Sequence, residues 1–229
     1  MNDYSVLERN LGYSFQDKKL LAHALTHSSY ASEHDLAYSE NNERLEFIGD
    51  AYLDAIIGNK LYEVMPNQPE GVLSKTRANI VCERSLATIA RNIGLGDFLF
   101  LGNGEEMYGG REKDSILADA VEAIIGAIIR ESGYDCADRV VLKLFEENIL
   151  LALQGKLYHD YKTALQEKLQ ERYKNVRIQY EPVSESGPDH RKVFTVQVKA
   201  DDAVLATGSG HSKKAAEQEA ARKVLMKGV

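Results

Sequence analysis

The chain has 229 residues, is 44% hydrophobic and carries a net charge of −7, which suits one large domain or two small ones at roughly 100–200 residues per domain. Its longest stretch without a polar side chain, residues 123–129, has seven residues against the ~20 of a membrane-spanning helix, and its start, MNDY, has neither the basic nor the apolar region of a secretory signal, so we expect a cytoplasmic protein with no membrane partner. Cys82 and Cys136 form no metal-type pair and no C-x-x-C, which argues against a disulfide scaffold and a cysteine zinc site.

From residue 6 to residue 153 apolar residues recur at three and four spacing, as in Leu20, Leu21, Ala24 and Leu25, then Leu45, Ile48, Tyr52 and Ile56, then Leu86, Ile89, Ala90 and Ile93. Breaks are expected at Gly12, 32–42, 66–71, 94–110 and Gly133. The prediction is an all-α domain, with the glycine-rich 102–106 (GNGEE) as an exposed loop. Beyond it the pattern changes. Residues 161–173 read as a helix, 176–183 and 192–200 alternate like strands around a turn at 186–189 (SGPD), 203–207 suits a third strand, and 212–227 is helical again. The order α-β-β-β-α makes a small α+β module. We therefore divide the chain into residues 1–154, a linker at 155–158, and residues 159–229.

Charge follows the same division. Residues 1–155 hold 14 Lys and Arg against 25 Asp and Glu, a balance of −11, while residues 156–229 hold 14 against 10, a balance of +4. This asymmetry suggests an acidic part that holds cations and a basic part that holds a polyanion.

In the acidic part, residues 42–51 read NERLEFIGDA and place Glu43, Glu46 and Asp50 at i, i+3 and i+7. At roughly 100° per residue, all three fall within about 60° of one helix face. A second helix, 116–130, places Asp119 and Glu122 at i and i+3 among apolar neighbours. Unpaired buried ions lose several kcal/mol of hydration, so these acids need a partner. Arg44, Lys75 or Arg77 in an ion pair is one solution; a hard divalent cation, which prefers carboxylate oxygens, is the other.

Several other chemistries fail on spacing. No histidine lies three residues after a glutamate, as a di-iron bundle requires. Residues 26–29 (THSS) lack a nucleophile elbow and read as a turn at a helix end. Residues 102–106 lack the third glycine and preceding strand of a dinucleotide loop, and no P-loop Gly-Lys-Ser/Thr occurs. In the basic part, 208–217 (GSGHSKKAAE) combines a glycine-flanked turn, a capping Ser212, and Lys213 and Lys214 in the first helical turn. Cations there oppose the helix dipole, and with the free N–H groups of a helix start they suit a phosphate.

These segments together resemble bacterial ribonuclease III. NERLEFIGDA at 42–51 looks like its signature, and the likeness recurs at 70–74 (EGVLS), 104–106 (GEE), 109–111 (GGR) and 114–126. Residues 160–167 (DYKTALQE), 187–190 (GPDH) and 212–221 resemble the double-stranded-RNA-binding domain. The resemblance covers nearly the whole chain in the family's order.

It implies a Mg²⁺-dependent endoribonuclease acting as a homodimer on double-stranded RNA. Each subunit would have one active centre, with two Mg²⁺ ions, Mn²⁺ as a substitute, and no organic cofactor. Glu46, Asp119, Glu122 and Asp50 correspond to metal ligands, and Asp50 and Glu122 to catalytic positions. Glu43, grouped with these acids, matches a position near the dimer interface and RNA valley. Phe47 resembles an aromatic knob received by the partner subunit, and Glu70 an acid contributed across the dimer. Ile48 replaces the family's usual leucine, a volume-conserving change. In the second domain, Thr163, Gln166, Glu167 and Gln170 lie at i, i+3, i+4 and i+7 of one helix and correspond to minor-groove contacts. His190 corresponds to a loop contact, while Lys213 and Lys214 match phosphate contacts across the major groove. Products with 5′-phosphate and 3′-hydroxyl ends, and ribosomal, messenger and transfer RNA precursors as substrates, are implied as well. Two other readings compete. An inactive duplex-RNA binder would be free to lose one of the four acids, and a helical hydrolase of small phosphorylated molecules would leave the basic module without a task.

Overall fold

Helix α8 (Asp114–Ser132) is apolar on almost every side, with Ile116, Leu117, Ala118, Ala120, Val121 and the whole run 123–128 buried. A helix of that composition is stable only when surrounded, and four other α-helices of the first unit make its main contacts. In the computed structural model, which describes residues 3–154, 157, 161–187 and 192–227, the chain divides into two compact units, 1–157 and 158–229.

The first unit holds α1 (Ser5–Leu11), α2 (Lys18–Ala24), α3 (Ser28–Glu33), α4 (Glu43–Val64), α5 (Glu70–Ile80), α6 (Glu83–Asn92), α7 (Asn103–Met107), α8, α9 (Tyr134–Leu144) and α10 (Glu146–Leu153), with short 3₁₀ turns at Tyr38–Glu40, Leu95–Phe98 and Gly110–Glu112. The breaks expected at Gly12 and Gly133 are realised: both have positive φ, +70° and +77°, a region that glycine enters without strain. Residues 102–106 correct the expected loop, because 103–107 close into the single helical turn α7. Glu33 takes hydrogen bonds from the Asn103 and Gly104 N–H groups there, satisfying donors that a helix start leaves open. The break between α5 and α6, at Val81 and Cys82, was not foreseen; it contains neither glycine nor proline.

The longest helix, α4, lies against α8 in the most extensive contact between any two elements. Two glycines permit the close crossing. A β-carbon on Gly126 would stand 2.1 Å from the Leu45 carbonyl oxygen, and one on Gly49 would stand 1.8 Å from that of Glu122. The start of α4 is pinned from α2: His23 Nε2 donates to the Asn41 carbonyl at 2.8 Å, and the Asn42 N–H donates to the Thr26 carbonyl at 2.8 Å. Asn41 and Asn42 are buried.

The second unit has the expected order: α11 (Tyr161–Tyr173), strands β1 (Ile178–Ser186), β2 (Val193–Ala200) and β3 (Ala203–Gly210), then α12 (Lys213–Met226). The sheet is antiparallel in the order β1-β2-β3, with irregularities at Pro182/Ser184 and Val198/Lys199. Pro182, which cannot donate to a ladder, sits on an edge strand, the position open to it. Leu165, Leu169, Val198, Ala206, Ala220, Ala221 and Val224 form the core. Gly208 brings β3 against α12, where a β-carbon would meet the Ala216 carbonyl oxygen at 2.3 Å. Among the described residues no helix is long and apolar enough to cross a membrane.

Candidate active site

The α4–α8 crossing decides where the acids lie. On α4, Glu46 precedes Gly49 by three residues and Asp50 follows it; on α8, Asp119 and Glu122 precede Gly126 by seven and four. The glycine contacts therefore bring the two acidic stripes together, and one carboxylate oxygen from each of Glu46, Asp119 and Glu122 lies within 4.8 Å of the other two. All three are partly buried.

Their electrostatics follow from burial and mutual repulsion. Glu122 is pushed up to about 8, first by burial and then by Asp50, Glu46, Asp119 and Asp54, all acidic. Glu46 is raised by burial, then by Asp119, Glu43 and Asp50. Asp119 is also raised, by burial, although His27 opposes it. Among the described residues none of Glu46, Asp50, Asp119 and Glu122 makes an ion pair. Of the basic residues first considered as partners, Arg77 pairs instead with Asp54, at 3.6 Å. An all-oxygen, half-buried set that makes no ion pair among the described residues fits a hard divalent cation, and Glu46, Asp119 and Glu122 are the residues that would hold it.

The remaining candidate residues of this unit lie outside that trio. Asp50 is exposed beside it. Glu43, half-buried, holds the Tyr38 hydroxyl above its ordinary value. Phe47, on the same helix, is 80% exposed, and it borders a cavity of about 590 Å³ with Tyr38, Glu43, Arg44 and Arg130. Glu70 stands exposed in the first turn of α5 and accepts a hydrogen bond from Ser74 Oγ at 2.6 Å. Sequence reasoning passed over three features. Gly49 and Gly126 could have been found as small residues one turn from the acids on two apolar helices. Asp54, four residues after Asp50, extends the acidic stripe. His27, taken as part of a turn, indeed caps α3; burial lowers its imidazole, against the opposing pull of Glu105, Asp119 and Glu43.

In the second unit Ser212 caps α12 as expected, its side chain accepting from the Ala215 N–H at 3.1 Å. Lys213 and Lys214 follow on an exposed first turn; the Lys213 ammonium lies 3.4 Å from a Glu185 oxygen. On α11, Gln166 and Gln170 are exposed, and with Lys162 they line a groove of about 270 Å³ against Val176, Ile178 and Tyr180 of the sheet side. Thr163 and Glu167 lie on the same helix, Thr163 half-buried and Glu167 exposed. His190 lies outside the described residues.

Comparison with known proteins agrees with both units. A ribonuclease-III-like family model matches residues 17–149, and a double-stranded RNA binding motif matches residues 161–227. Ribonuclease 3 of Caldanaerobacter subterraneus is 51% identical over 221 residues, covering 96% of each chain, and that of Sulfurovum is 48% identical over 97% of this chain and 96% of its own. A solved nuclease domain of ribonuclease III from Campylobacter jejuni, in which a region takes part in dimer formation, shares 49% identity. Its TM-score is 0.60, and the match covers 64% of this chain and 98% of that one. With its acidic cluster at the crossing of two helices and an α-β-β-β-α module following in sequence, the chain belongs to the ribonuclease III family of double-strand-specific endoribonucleases.

Proposed function

We propose that the protein hydrolyses phosphodiester bonds in double-stranded RNA with Mg²⁺ as its cofactor, leaving 5′-phosphate and 3′-hydroxyl ends. The observation that carries this reading is the convergence of three carboxylates within 4.8 Å, without a basic partner among the described residues. Residues 1–154 form the catalytic domain in this reading, 155–158 the linker and 159–229 the RNA-binding domain.

A bound pair of Mg²⁺ ions, for which Mn²⁺ can substitute, supplies charge neutralisation at the phosphoryl oxygens and a more acidic water. Glu46, Asp119 and Glu122 hold the metal, and Asp50 extends the site on its exposed side. Because Glu122 is raised to about 8, its carboxyl keeps a proton at neutral pH while the cluster is alone, and gives it up as positive charge arrives. Glu43 borders the site at the start of α4. The acidic domain repels RNA, so the basic module must supply attraction. Lys213 and Lys214 meet phosphates, while Thr163, Gln166, Glu167, Gln170 and His190 meet the minor grooves, reading A-form shape more than sequence.

Two subunits act together in this reading. Phe47, a large apolar side chain held out to solvent beside a cavity, seats in the same cavity of a second copy, and Glu70 lies at that contact. A C2 arrangement gives each half both knob and socket. Ribosomal RNA precursors, with some messenger and transfer RNA precursors, are the proposed substrates in the cytoplasm.

Incubation with long duplex RNA, single-stranded RNA and a nucleotide, each with and without Mg²⁺, tests the proposal. Cleavage of the duplex alone, only with the metal, is the expected result. Cutting without any divalent ion, or equal turnover by Glu122→Gln, rejects it.

A further inference from the structure

We propose that Lys192 is a further phosphate-contacting residue of the second unit, acting beside Lys213, and that the Glu185 carboxylate holds the place of an RNA phosphate between the two lysines until a duplex displaces it. The proposal rests on the duplex-RNA reading above and adds two residues to it.

The sheet register builds the arrangement. Glu185 of β1 pairs with Phe194 of β2, and Phe194 in turn pairs with Gly210 of β3. Directly paired residues project to the same face of a sheet, so Glu185 and Phe194 stand side by side, while Gly210 projects nothing. Helix α12 starts tightly against that bare position, where a β-carbon would lie 2.7 Å from Ala215 Cβ and 2.8 Å from the Ala216 nitrogen. Lys213, in the first turn of α12, therefore reaches across Phe194: its ammonium stands 5.9 Å from the ring centroid and 3.4 Å from Glu185 Oε1. Lys192, the residue before β2, comes to the other carboxylate oxygen, its ammonium 3.6 Å from Glu185 Oε2.

Two ammonium groups from separate segments thus share one carboxylate beside an aromatic ring, and together the three groups keep a net positive charge. Their side chains are between 39% and 63% exposed, open to a ligand as large as a duplex. Ion pairs so exposed contribute little to folding, so Glu185 adds little stability here and opposes a polyanion directly. A phosphodiester offers the lysines what the carboxylate offers them, one negative charge spread over two oxygens, and it releases condensed counterions when it is neutralised. Exchanging Glu185 for a phosphate therefore breaks two weak pairs and makes a stronger contact to both lysines at once.

Binding isotherms of the full chain on a labelled duplex RNA, at several salt concentrations and without divalent ions so that the strands stay intact, test the proposal. Glu185→Gln keeps the shape of the side chain and removes its charge; we expect it to bind about two- to fivefold tighter, with a steeper salt dependence. Glu181→Gln is the control. It removes the same charge from the same strand, where the carboxylate pairs with Lys199 at 2.6 Å and accepts from Gln197, and it should gain distinctly less. Lys192→Ala, made in the Glu185→Gln chain, should weaken binding to every duplex alike and flatten the log–log salt slope by about one unit. No gain in Glu185→Gln, an equal gain in Glu181→Gln, or an unchanged slope on loss of Lys192 overturns the proposal. Should Glu185→Gln not fold, as thermal melting reports, Lys192→Ala in the wild-type chain decides, a flatter slope upholding the contact and an unchanged one overturning it. A wild-type chain that binds no duplex overturns the RNA reading and this proposal with it, whereas wild-type binding that Lys214→Ala weakens, with Glu185→Gln and Lys192→Ala both without effect, overturns this proposal alone.

Discussion

Gly49 carries the contact that makes the site: a β-carbon there would lie 1.8 Å from the Glu122 carbonyl oxygen and 2.9 Å from the Gly126 nitrogen. Both obstacles are backbone atoms of α8, which cannot rotate away, so any side chain at residue 49 forces α4 and α8 apart. We expect Gly49→Ala to cost about 3 kcal/mol or more, the upper end of overpacking effects, and to weaken Mn²⁺ binding as the acids separate. Gly71→Ala is the control. A β-carbon on Gly71, inside α5, meets nothing within 4 Å, and the change should be neutral or gain up to ~1 kcal/mol from helix propensity. Urea unfolding of both variants checks the pair, and equal stabilities would show that the crossing yields easily.

The raised Glu122 carboxyl gives a pH signature in the metal-free protein. Its folded value of about 8 lies above the ordinary 4.5, so between the two the folded state binds the extra proton. The stabilisation linked to this group is therefore complete below the unfolded value and is lost as pH rises through the folded one. Without metal, melting temperature should fall from about pH 5 to about pH 9 more steeply for the wild type than for Glu122→Gln, which carries no proton to lose. A divalent ion should raise wild-type melting more at the alkaline end, where the carboxylates compete least with protons. Parallel melting profiles for the two proteins would contradict the raised carboxyl.

Most of the architecture was legible because it rests on periodicity. The apolar repeats of α4 and α8, the alternation of β2 and the Ser212 cap are local patterns, and local patterns survive folding. The helix α7 was not legible: its five residues include Asn103 and Gly104, poor helix formers, and what closes the turn is Glu33, seventy residues upstream. The acids could be assigned to helix faces by counting, but whether the faces meet depends on Gly49 and Gly126, whose role appears only when two helices are packed.

Phe47 tests the proposed dimer. At 80% exposure its ring adds little to the core of its own subunit, so Phe47→Ala should leave the helical content of each chain intact. Apolar anchors that fill a partner's pocket commonly contribute about 2 kcal/mol or more to association, ~30-fold in the dissociation constant. Sedimentation velocity over a concentration series should show the variant dissociating at concentrations where the wild type remains paired. An unchanged distribution would remove Phe47 from the interface and leave its exposure unexplained.

The two lysines at the start of α12 should differ in what they give to RNA. Lys213 is partly neutralised by Glu185, 3.4 Å away, and its ammonium also stands over the Phe194 ring at 5.9 Å. Lys214, beside it on an exposed turn, makes no ion pair among the described residues. Each phosphate contact releases condensed counterions, and losing one flattens the salt dependence of duplex binding by about one unit of log–log slope. Lys214→Ala should show nearly that full change. Lys213→Ala should show less, because Glu185 must give up its partner before the lysine can meet a phosphate. Both should weaken binding to every duplex alike, since a phosphate carries no sequence. Binding isotherms for two unrelated duplexes at several salt concentrations decide the matter: a variant that lost affinity for one duplex only, or kept the wild-type slope, would take these lysines off the backbone.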